Sequence, residues 1–303
     1  MQIRLATRAS ALALWQAERV SGLIRNHFPH AEIKLVRIST SPDRQPEVAL
    51  EKLGGDKGLF VKEVEDAILS DEADAAVHSL KDVPADLPDG LRLVAFPERA
   101  DARDVLLSRH GEDLSQLPHG AKVATSSLRR RGQLLRLRPD LQVSDVRGNV
   151  DTRVSKLRSG QFDAIVLAAA GLQRLGLLET SPHYLEPEQF VPAAGQGIIA
   201  IEAAASSTLA HVWSVLDNSD VRLCAEVERS FVRAIGAGCR TPAGCHAIAG
   251  SDDSYISAMV CGKNGHPFLH AGRTALRLDA VRVASEMGKE MLLMGADKLL
   301  DEK

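Results

Sequence analysis

Hydroxyl, amide and arginine side chains occur together in three short segments of the first half of the chain. These segments are Thr7-Arg8-Ala9-Ser10, Thr125-Ser126-Ser127-Leu128-Arg129-Arg130 and Arg147-Gly148-Asn149. Hydroxyl and amide groups donate hydrogen bonds to anions, and a guanidinium group grips a carboxylate or phosphate through two parallel hydrogen bonds. Each segment alone fits helix capping without a ligand equally well. Three of the same kind favour a ligand that carries several anionic groups.

The segment His78-Ser79-Leu80-Lys81-Asp82-Val83-Pro84 places a histidine, a cation and a carboxylate close together. A hydrolase triad is assembled from distant parts of a chain, so these neighbours do not indicate one. Two interpretations stay open. The segment is either a capped turn before Pro84, or part of a cleft in which Asp82 faces a cationic or N–H-bearing centre and Lys81 binds an anion.

Cys239 differs from the other cysteines because it lies in the glycine-rich segment Gly236-Ala237-Gly238-Cys239-Arg240-Thr241-Pro242. Cys224, Cys245 and Cys261 fit the usual role of cysteine as a small buried apolar residue. For Cys239 that role competes with attachment of a group or nucleophilic chemistry. No CxxC pair or metal-like spacing occurs, so no metal site is expected.

The three anion-binding segments lie where predicted strands end and predicted helices begin. The pattern predicts strands at 3–7, 122–125 and 141–146, followed by helices at 10–28, 126–137 and 149–157. Helix N-termini carry unpaired N–H donors, and open α/β sheets bind ligands at the carboxyl ends of their strands. All three segments are therefore expected at ligand-binding edges of sheets.

The remaining pattern predicts an α/β protein with mostly parallel sheets and a separate α+β tail. A strand at 197–202 is expected to return the chain to the first unit, and a loop rich in proline and glycine is expected at 42–58. Further strands are predicted at 33–38, 75–78, 91–96, 105–108, 163–167, near 247, at 255–260 and at 269–274, and further helices at 61–69, up to 175, at 219–235 and from 279.

Composition excludes several classes of protein. The 303 residues include 45% apolar and 25% charged residues, which is typical of globular proteins and not of disordered or fibrous ones. The formal net charge of −3 argues against a general nucleic-acid binder. No apolar stretch approaches the roughly 20 residues that a membrane span needs. Four cysteines in a large chain without an export signal indicate the cytoplasm.

Positive charge is concentrated in residues 121–160, which hold ten basic residues and three acidic ones. Many of these arginines fit a solvated helix face, but the segments named above place several of them at strand ends. A dinucleotide site is not indicated, although Gly195-Gln196-Gly197-Ile198-Ile199-Ala200 matches GxGxxA. That motif needs a preceding strand and a following helix, and neither is predicted here.

The chain as a whole resembles the porphobilinogen deaminase (hydroxymethylbilane synthase) family. The resemblance covers nearly the full length and rests on eight motifs. They are ATRASALALWQ (6–16), KGLFVKE (57–63), AVHSLKDVP (76–84), TSSLRR (125–130), RGNVDTR (147–153), AGLQRLG (170–176), PAAGQG (192–197) and GAGCRTP (236–242).

The resemblance implies a fold of three domains. Two are similar to type II periplasmic binding proteins, with the chain crossing between them twice, and the third is a small C-terminal α+β domain. The expected divisions are 1–95 with 197–216, then 96–196, and then 217–303 for the domain that carries the cofactor. The family also implies a monomer.

The resemblance further implies that Cys239 holds a dipyrromethane cofactor through a thioether. Four porphobilinogen units are condensed onto this primer with loss of ammonia, and hydrolysis releases the linear hydroxymethylbilane. Asp82 matches the catalytic carboxylate. The positions that match cofactor-binding and substrate-binding residues are Arg8, Ser10, Gln16, Lys57, Lys81, Thr125, Ser126, Ser127, Arg129, Arg130, Arg147, Asn149, Arg153 and Arg174.

The physical chemistry of the ligand agrees with these residues. Each pyrrole ring carries two carboxylates, so primer and product together present many anionic groups to a cleft rich in arginine. Loss of ammonia from porphobilinogen leaves an electron-poor azafulvene, and one carboxylate beside it can stabilise the positive charge and accept or return protons.

Two other functions are compatible with parts of the sequence. A non-catalytic binding module for a small polyanion would share the architecture of the first two domains without any covalent modification. A thiol enzyme would use Cys239 with a histidine such as His246.

Overall fold

The computed structural model describes residues 1–40, 61–178, 182–238 and 241–300. The loop predicted at 42–58, Lys57 within it, and Cys239 lie outside the described residues. Within them the chain forms two five-stranded sheets and one three-stranded sheet, with helices packed on their faces.

The strands are numbered in chain order. They are β1 (Gln2–Arg8), β2 (Glu32–Ile38), β3 (Ala75–Ser79), β4 (Leu91–Ala95), β5 (Asp104–Ser108), β6 (Lys122–Ala124), β7 (Gln142–Ser144), β8 (Ala164–Ala168), β9 (His183–Leu185), β10 (Ile199–Ala204), β11 (Ala243–Ala249), β12 (Asp253–Cys261) and β13 (Phe268–Leu276).

The described α-helices are numbered in the same way. They are α1 (Ala11–His27), α2 (Lys62–Leu69), α3 (Leu128–Leu137), α4 (Val150–Arg158), α5 (Ala169–Arg174), α6 (Ala210–Leu216), α7 (Ser219–Ala234), α8 (Ala280–Leu293) and α9 (Ala296–Leu300).

The first sheet has the order β2-β1-β3-β10-β4. β1 is parallel to β2 and β3, whereas β10 is antiparallel to both β3 and β4. Four strands therefore run in one direction, and β10, which comes back from the second sheet, runs against them. This confirms the predicted return of the chain into the first unit.

The second sheet, β7-β6-β8-β5-β9, repeats this arrangement. β6 is parallel to β7 and β8, and β5 is antiparallel to β8 and β9. The prediction of mostly parallel sheets is confirmed for strand direction, but each sheet also contains one opposing strand. In both sheets that strand is the first one after a crossing between the units.

Two predicted elements are shorter than expected around the second anion-binding segment. The helix predicted from Ser126 begins at Leu128, because Ser127 is its N-cap and accepts a hydrogen bond from Arg130 N at 3.4 Å. Ser126 Oγ instead donates to Val146 O at 2.6 Å. The strand predicted at 141–146 is confined to β7.

The third sheet is the antiparallel meander β11-β12-β13, covered by α7 and α8. Its core contains Phe231, Ile256 and Met287, and the same apolar cluster includes Leu80 and Phe96 from the first unit. The α/β class of the first two units and the α+β class of the tail are therefore confirmed, and the tail is joined to the first unit by continuous apolar packing.

The tail approaches the second unit through glycine. A Cβ atom on Gly132 of α3 would overlap Cys261 Sγ and would lie 2.8 Å from Gly262 O. A Cβ on Gly244 of β11 would lie 2.7 Å from Pro192 O. Backbone therefore meets backbone or a cysteine at this junction, and no larger residue fits at either glycine without displacement.

We predict that Gly132→Ala destabilises the protein by about 1–3 kcal/mol, because overpacking displaces α3 from β12. The control is Gly22→Ala in α1, where nothing lies within 4 Å of the new Cβ. That change should stabilise by roughly 0.5–1 kcal/mol through helix propensity alone. Urea unfolding of both variants measures the difference. Equal effects of the two substitutions would show that the close approach at Gly132 is not limiting.

Candidate active site

A pocket in the first unit brings together residues that were predicted from separate motifs. It opens at the carboxyl ends of β1 and β3 and at the start of α1, as expected for an open α/β sheet. Its lining residues are Arg8, Ser10, Leu12, Ala13, Gln16, Val61, Val77, His78, Ser79 and Asp82. Arg8, Ser10, Gln16 and Asp82 were all predicted as site residues.

The start of α1 fixes one wall of this pocket. Ser10 is the N-cap, and its Oγ accepts a hydrogen bond from Ala13 N at 3.4 Å. Gln16 is buried and donates from Nε2 to Ser79 Oγ at 2.8 Å, which ties α1 to the end of β3. Arg8 ends β1 and is partly exposed at the rim.

Asp82 ends a single 3₁₀ turn, residues 80–82, that directly follows β3. Leu80 N donates to Ile198 O at 3.0 Å, and Val83 N donates back to Leu80 O at 3.1 Å. Leu80 is 2% exposed and anchors the turn in the apolar core, while Asp82 faces the pocket. The turn before Pro84 is therefore confirmed, although no side chain caps it, and the assignment of Asp82 and Lys81 to a ligand-binding cleft stays a prediction.

The return crossing leaves no room for a side chain beside this turn. Gly195 has φ +74°, and a Cβ there would lie 2.8 Å from Leu80 Cγ and 3.0 Å from Lys81 N. A glycine is therefore required both for the left-handed backbone and for the close approach. The motif PAAGQG thus supports the Asp82 turn from behind.

Lys81 and Asp82 interact electrostatically with cations that belong to the second unit. Burial, with a smaller contribution from Arg130, lowers the pKa of Lys81 to about 8, and the charge of Asp82 opposes this change. Burial likewise lowers the pKa of Arg153 to about 10, with Arg130 adding to the effect and Asp82 opposing it. Charge effects among Lys81, Asp82, Arg130 and Arg153 therefore connect the two units, and three of these four groups are cationic.

The hydroxyl groups of the second anion-binding segment build its turn. Thr125 is buried, and its Oγ1 accepts a hydrogen bond from Ser127 N at 3.2 Å. With Ser126 bonded to Val146 and Ser127 capping α3, three predicted ligand-binding side chains make internal contacts. These contacts hold the N-terminus of α3 open towards the cleft.

The third segment is arranged differently. Asn149 occupies the N-cap position of α4, but its side chain makes no capping hydrogen bond and is exposed. Arg147 is exposed as well, and Arg153 Nε donates to Gly148 O at 2.7 Å. The side chain of Asn149 therefore does not perform the capping that was the alternative to ligand binding.

Arg129 and Arg130 are buried and share one partner that sequence reasoning missed, Asp104. Arg129 Nη2 donates to Asp104 Oδ2 at 2.8 Å, and Arg130 Nη2 donates to Asp104 Oδ1 at 2.7 Å. Although burial opposes ionisation, the two guanidinium groups lower the pKa of Asp104 to about 2. Arg129 also donates from Nη1 to Val191 O at 2.6 Å, so its guanidinium group is hydrogen-bonded within the interior of the second unit.

Gln196 was also missed as a structural residue of the site. Its Nε2 donates to Asp104 Oδ1 at 2.9 Å and to Ala102 O at 2.7 Å. One buried amide thus joins the outgoing crossing to the returning one. No local sequence signal distinguishes Asp104 or Gln196, because their roles depend on partners far away in the chain.

Arg174 lies where the second unit meets the first. It is 8% exposed, and its Nη2 donates to Gly197 O at 2.7 Å. Its guanidinium carbon lies 5.6 Å from the ring centroid of Trp15 in α1. The buried Arg174 Nε has no hydrogen-bond partner among the described residues, which leaves a donor for an additional acceptor.

Gly238 and Thr241, the described residues on either side of Cys239, are joined by hydrogen bonds. Thr241 N donates to Gly238 O at 3.2 Å, and Thr241 Oγ1 donates to the same carbonyl at 2.7 Å. Burial raises the pKa of Cys261 to about 12, and it also raises the pKa of Cys224 and Cys245. These three thiols therefore have the character of inert core residues.

Among the described residues, no group of three or more histidine, cysteine, aspartate or glutamate side chains could hold a metal ion. None of the described helices is long and apolar enough to cross a membrane.

Comparison with known families identifies two matching regions. Residues 3–211 match the family model described as "Porphobilinogen deaminase, dipyromethane cofactor binding domain", and residues 222–294 match "Porphobilinogen deaminase, C-terminal domain". The chain belongs to the porphobilinogen deaminase family. This membership does not favour the non-catalytic binding module as an alternative.

Curated relatives support the same assignment over the full length. The porphobilinogen deaminase of Syntrophobacter fumaroxidans is 42% identical over 301 residues, which cover 99% of this chain and 97% of the relative. That of Nitratidesulfovibrio vulgaris (strain DP4) is 46% identical over 303 residues, which cover 98% and 95%.

Two solved structures show a distant likeness to this chain. A sulfate-bound mutant of the OxyR2 regulatory domain from Vibrio vulnificus aligns with a TM-score of 0.45 and 14% identity, covering 75% of this chain and 95% of that chain. The periplasmic aliphatic sulphonate binding protein SsuA from Escherichia coli aligns with a TM-score of 0.39 and 18% identity, covering 77% and 70%. The fold class given above rests on the strand order of this chain itself.

Behind the pocket of this family member lies a buried cluster of titratable groups, in which His78 of the motif AVHSLKDVP meets two glutamates that no motif indicated. His78 Nε2 lies 3.0 Å from Glu202 Oε2, and both side chains are nearly inaccessible. Glu65 of α2 is 5% exposed, and burial, together with the charge of Glu202, raises its pKa to about 7. The neutral form of Glu65 is therefore favoured in the folded protein.

We predict that Glu65→Gln removes a loss of stability at alkaline pH. The raised pKa means that Glu65 contributes stability below its unfolded pKa of about 4.5 and loses it as the pH rises through 7. The variant should gain on the order of 1–3 kcal/mol relative to the parent between pH 5 and pH 8.5. Urea unfolding at both pH values measures this. Glu72→Gln, at an exposed position in the same unit, should show no such pH-dependent gain, and a pH-independent effect of Glu65→Gln would contradict the assignment.

Proposed function

We propose that this chain is a hydroxymethylbilane synthase, which condenses four porphobilinogen units with loss of ammonia onto a dipyrromethane primer and releases linear hydroxymethylbilane. The observation that carries the proposal is the position of Asp82. Its carboxylate faces a pocket lined by Arg8, Ser10 and Gln16, and it interacts electrostatically with Arg153 of the second unit. The alkylating chemistry of porphobilinogen needs one such carboxylate among cations.

The described site fits a dipyrromethane cofactor, which carries four carboxylates. Arg174 has an unpartnered buried Nε, Asn149 has a side chain free of capping, and the cleft holds more cations than its own carboxylates neutralise. The thioether at Cys239 remains a prediction, because that residue lies outside the described part of the chain. When bound, the cofactor supplies the free pyrrole carbon to which the first porphobilinogen is joined.

We assign direct binding of acetate and propionate groups to the predicted residues whose side chains reach the cleft or its rim. Arg8, Ser10, Gln16, Lys81, Arg147, Asn149, Arg153 and Arg174 form this set, and Lys57 stays a prediction. Thr125, Ser126, Ser127 and Arg129 act by holding the N-terminus of α3, where backbone N–H groups bind anions. Arg130 combines both roles, since it pairs with Asp104 and also contributes to the field at Lys81.

In this mechanism Asp82 acts where charge develops. Departure of ammonia from the aminomethyl group of porphobilinogen leaves a delocalised cation, which the Asp82 carboxylate stabilises by accepting hydrogen bonds from pyrrole N–H groups. After the new carbon–carbon bond forms, the same carboxylate accepts the proton lost from the attacking pyrrole carbon. The surrounding arginines bind side-chain carboxylates and so hold the two reacting rings in register.

The proposal divides the chain into residues 1–95 with 197–216, residues 96–196 and residues 217–303. The three sheets, and the crossings that precede β5 and β10, support this division. We also propose that the protein acts as a monomer in the cytoplasm, on porphobilinogen and not on nucleic acid, as the family resemblance implies.

Intact-protein mass tests the cofactor directly. The purified parent protein is expected to exceed its sequence mass by two pyrrole units, and Cys239→Ser is expected to show the bare sequence mass. Cys224→Ala, which changes a buried thiol of the core, should retain the added mass. A parent protein at the bare sequence mass, unchanged after incubation with porphobilinogen, would count against the proposed function.

We predict that Asp82→Asn keeps the cofactor but lowers the turnover of porphobilinogen by about 10²–10³-fold, because the neutral amide cannot stabilise the developing cation. Single-turnover formation of hydroxymethylbilane, with the intact mass as a parallel readout, measures this. Asp89→Asn, at an exposed position in the same loop, should turn over normally. A near-normal rate in Asp82→Asn would rule out Asp82 as the catalytic carboxylate.

A further inference from the structure

Helix α7 contacts the segment that immediately follows Asp82. Arg229 Nη2 donates to Ala85 O at 2.8 Å, and Arg229 Nη1 reaches Val83 O at 3.4 Å. One turn further along the helix, Arg233 Nη2 donates to the same Ala85 carbonyl at 3.0 Å, and its Nε lies 3.3 Å from Asp86 Oδ1. Two guanidinium groups of the third unit therefore hold backbone carbonyls of the first.

Apolar packing strengthens this contact. The side chain of Val83 is 5% exposed and belongs to the same cluster as Val227 and Phe231 of α7. Val83 is also the residue that closes the 3₁₀ turn, through its N–H bond to Leu80 O. Any displacement of Val83 is thus transmitted to Asp82, the preceding residue.

The position of α7 itself is fixed from its other side by Glu228. This fully buried carboxylate accepts hydrogen bonds from Gly195 N at 2.6 Å and from Ala247 N at 2.8 Å, and it pairs with Arg99 Nη1 at 2.7 Å. Charged hydrogen bonds in the interior resist displacement strongly. Arg229, the next residue, therefore lies on a helix whose position is fixed by the hydrogen bonds of Glu228.

The C-terminal end of α7 leads to the predicted attachment site. The helix ends at Ala234, and the bonds from Gly236 N to Arg233 O at 3.1 Å and from Ala237 N to Val232 O at 3.0 Å close its last turn. Cys239 follows Ala237 by two residues. One rigid element thus connects the turn that carries Asp82 to the loop that carries Cys239.

We propose that Arg229 is a positioning residue for Asp82, supported by Arg233. Through these contacts, α7 links the position of Asp82 to that of the segment that carries Cys239. This inference rests on the proposed function, because it assumes that Asp82 acts on a group attached at Cys239. Arginine suits the task since its planar fork reaches two carbonyls that lie two residues apart, whereas the ammonium of lysine is a compact point donor on a flexible stem.

The first test is Arg229→Lys, which keeps the charge and loses the fork. The turnover number for porphobilinogen is expected to fall by about 10–100-fold, since a displacement of about 1 Å at a reacting group has effects of this size. The KM should change less than threefold, because Arg229 holds the backbone carbonyls of Val83 and Ala85, which lie outside the carboxylate-binding set. The intact mass should still include the cofactor.

Arg222→Lys is the matched control on the same helix. Arg222 makes the same kind of contact with the first unit, from Nη2 to Val94 O at 3.0 Å and from Nε to Asp217 at 2.6 Å, but it does not touch the 83–86 segment. Thermal unfolding should show similar losses of stability in both variants, whereas only Arg229→Lys should lower turnover. A turnover number that tracks stability equally in both variants would overturn the proposal.

A double-mutant cycle separates positioning from an independent effect. If Arg229 acts through Asp82, then adding Arg229→Lys to Asp82→Asn should reduce turnover by less than about twofold further, because coupled residues are not additive. A full multiplicative loss in the double variant would contradict the inference. A parent protein that fails to turn over porphobilinogen would instead refute the proposed function, so the two failures are distinguishable.

Discussion

The rest of the cleft depends on the pairing of the buried Asp104 carboxylate with Arg129 and Arg130. A site for many carboxylates needs clustered guanidinium groups, and such a cluster repels itself and is costly to bury. Asp104 offsets this cost for Arg129 and Arg130 at the first residue of β5, directly after the outgoing crossing. Gln196 of the returning crossing binds the same carboxylate. Asp104 therefore holds Arg129 and Arg130 at the N-terminus of α3 and is bound by the returning crossing. It also contributes to the electrostatic field at Lys81.

The third unit is attached to the other two by different physical means. Against the first unit it shares one apolar core, and arginines of α7 bind backbone carbonyls that follow Asp82. Against the second unit it combines close approaches at Gly132 and Gly244 with the Arg99–Glu228 ion pair and a small apolar cluster of Val191, Met259 and Cys261. Apolar packing tolerates small shifts of side chains, whereas a glycine contact is lost at once when the surfaces separate. Both kinds of contact fix α7 and β11, the described elements on either side of Cys239, relative to the other two units.

Much of the fold could be predicted from sequence because it depends on local periodicity. The strand ends that carry Arg8, Asp82 and Asn149 were located from apolar patterns and capping residues. The direction of β5 and β10 was not, because it is decided by where the chain crosses and not by the residues of the strands. The role of Arg129 was also beyond local reasoning. From sequence alone, an arginine at the start of a helix is interpreted as an anion-binding residue. Only the structure shows that its partner 25 residues earlier is buried beside it.

Protonation and ligand binding are linked in this cleft through Lys81. Burial and the neighbouring arginines keep the pKa of Lys81 near 8, so part of the population is neutral at a mildly alkaline pH. A carboxylate that enters the cleft favours the charged form of Lys81 and raises that pKa, because the opposite charge offsets the repulsion from Arg130. By linkage, binding of each anionic ring then takes up protons in this pH range, and the affinity for it weakens as the pH rises. Repulsion among the cations destabilises the cleft without a ligand. Because bound carboxylates offset this repulsion, it contributes to the affinity of the cleft for a chain of carboxylates.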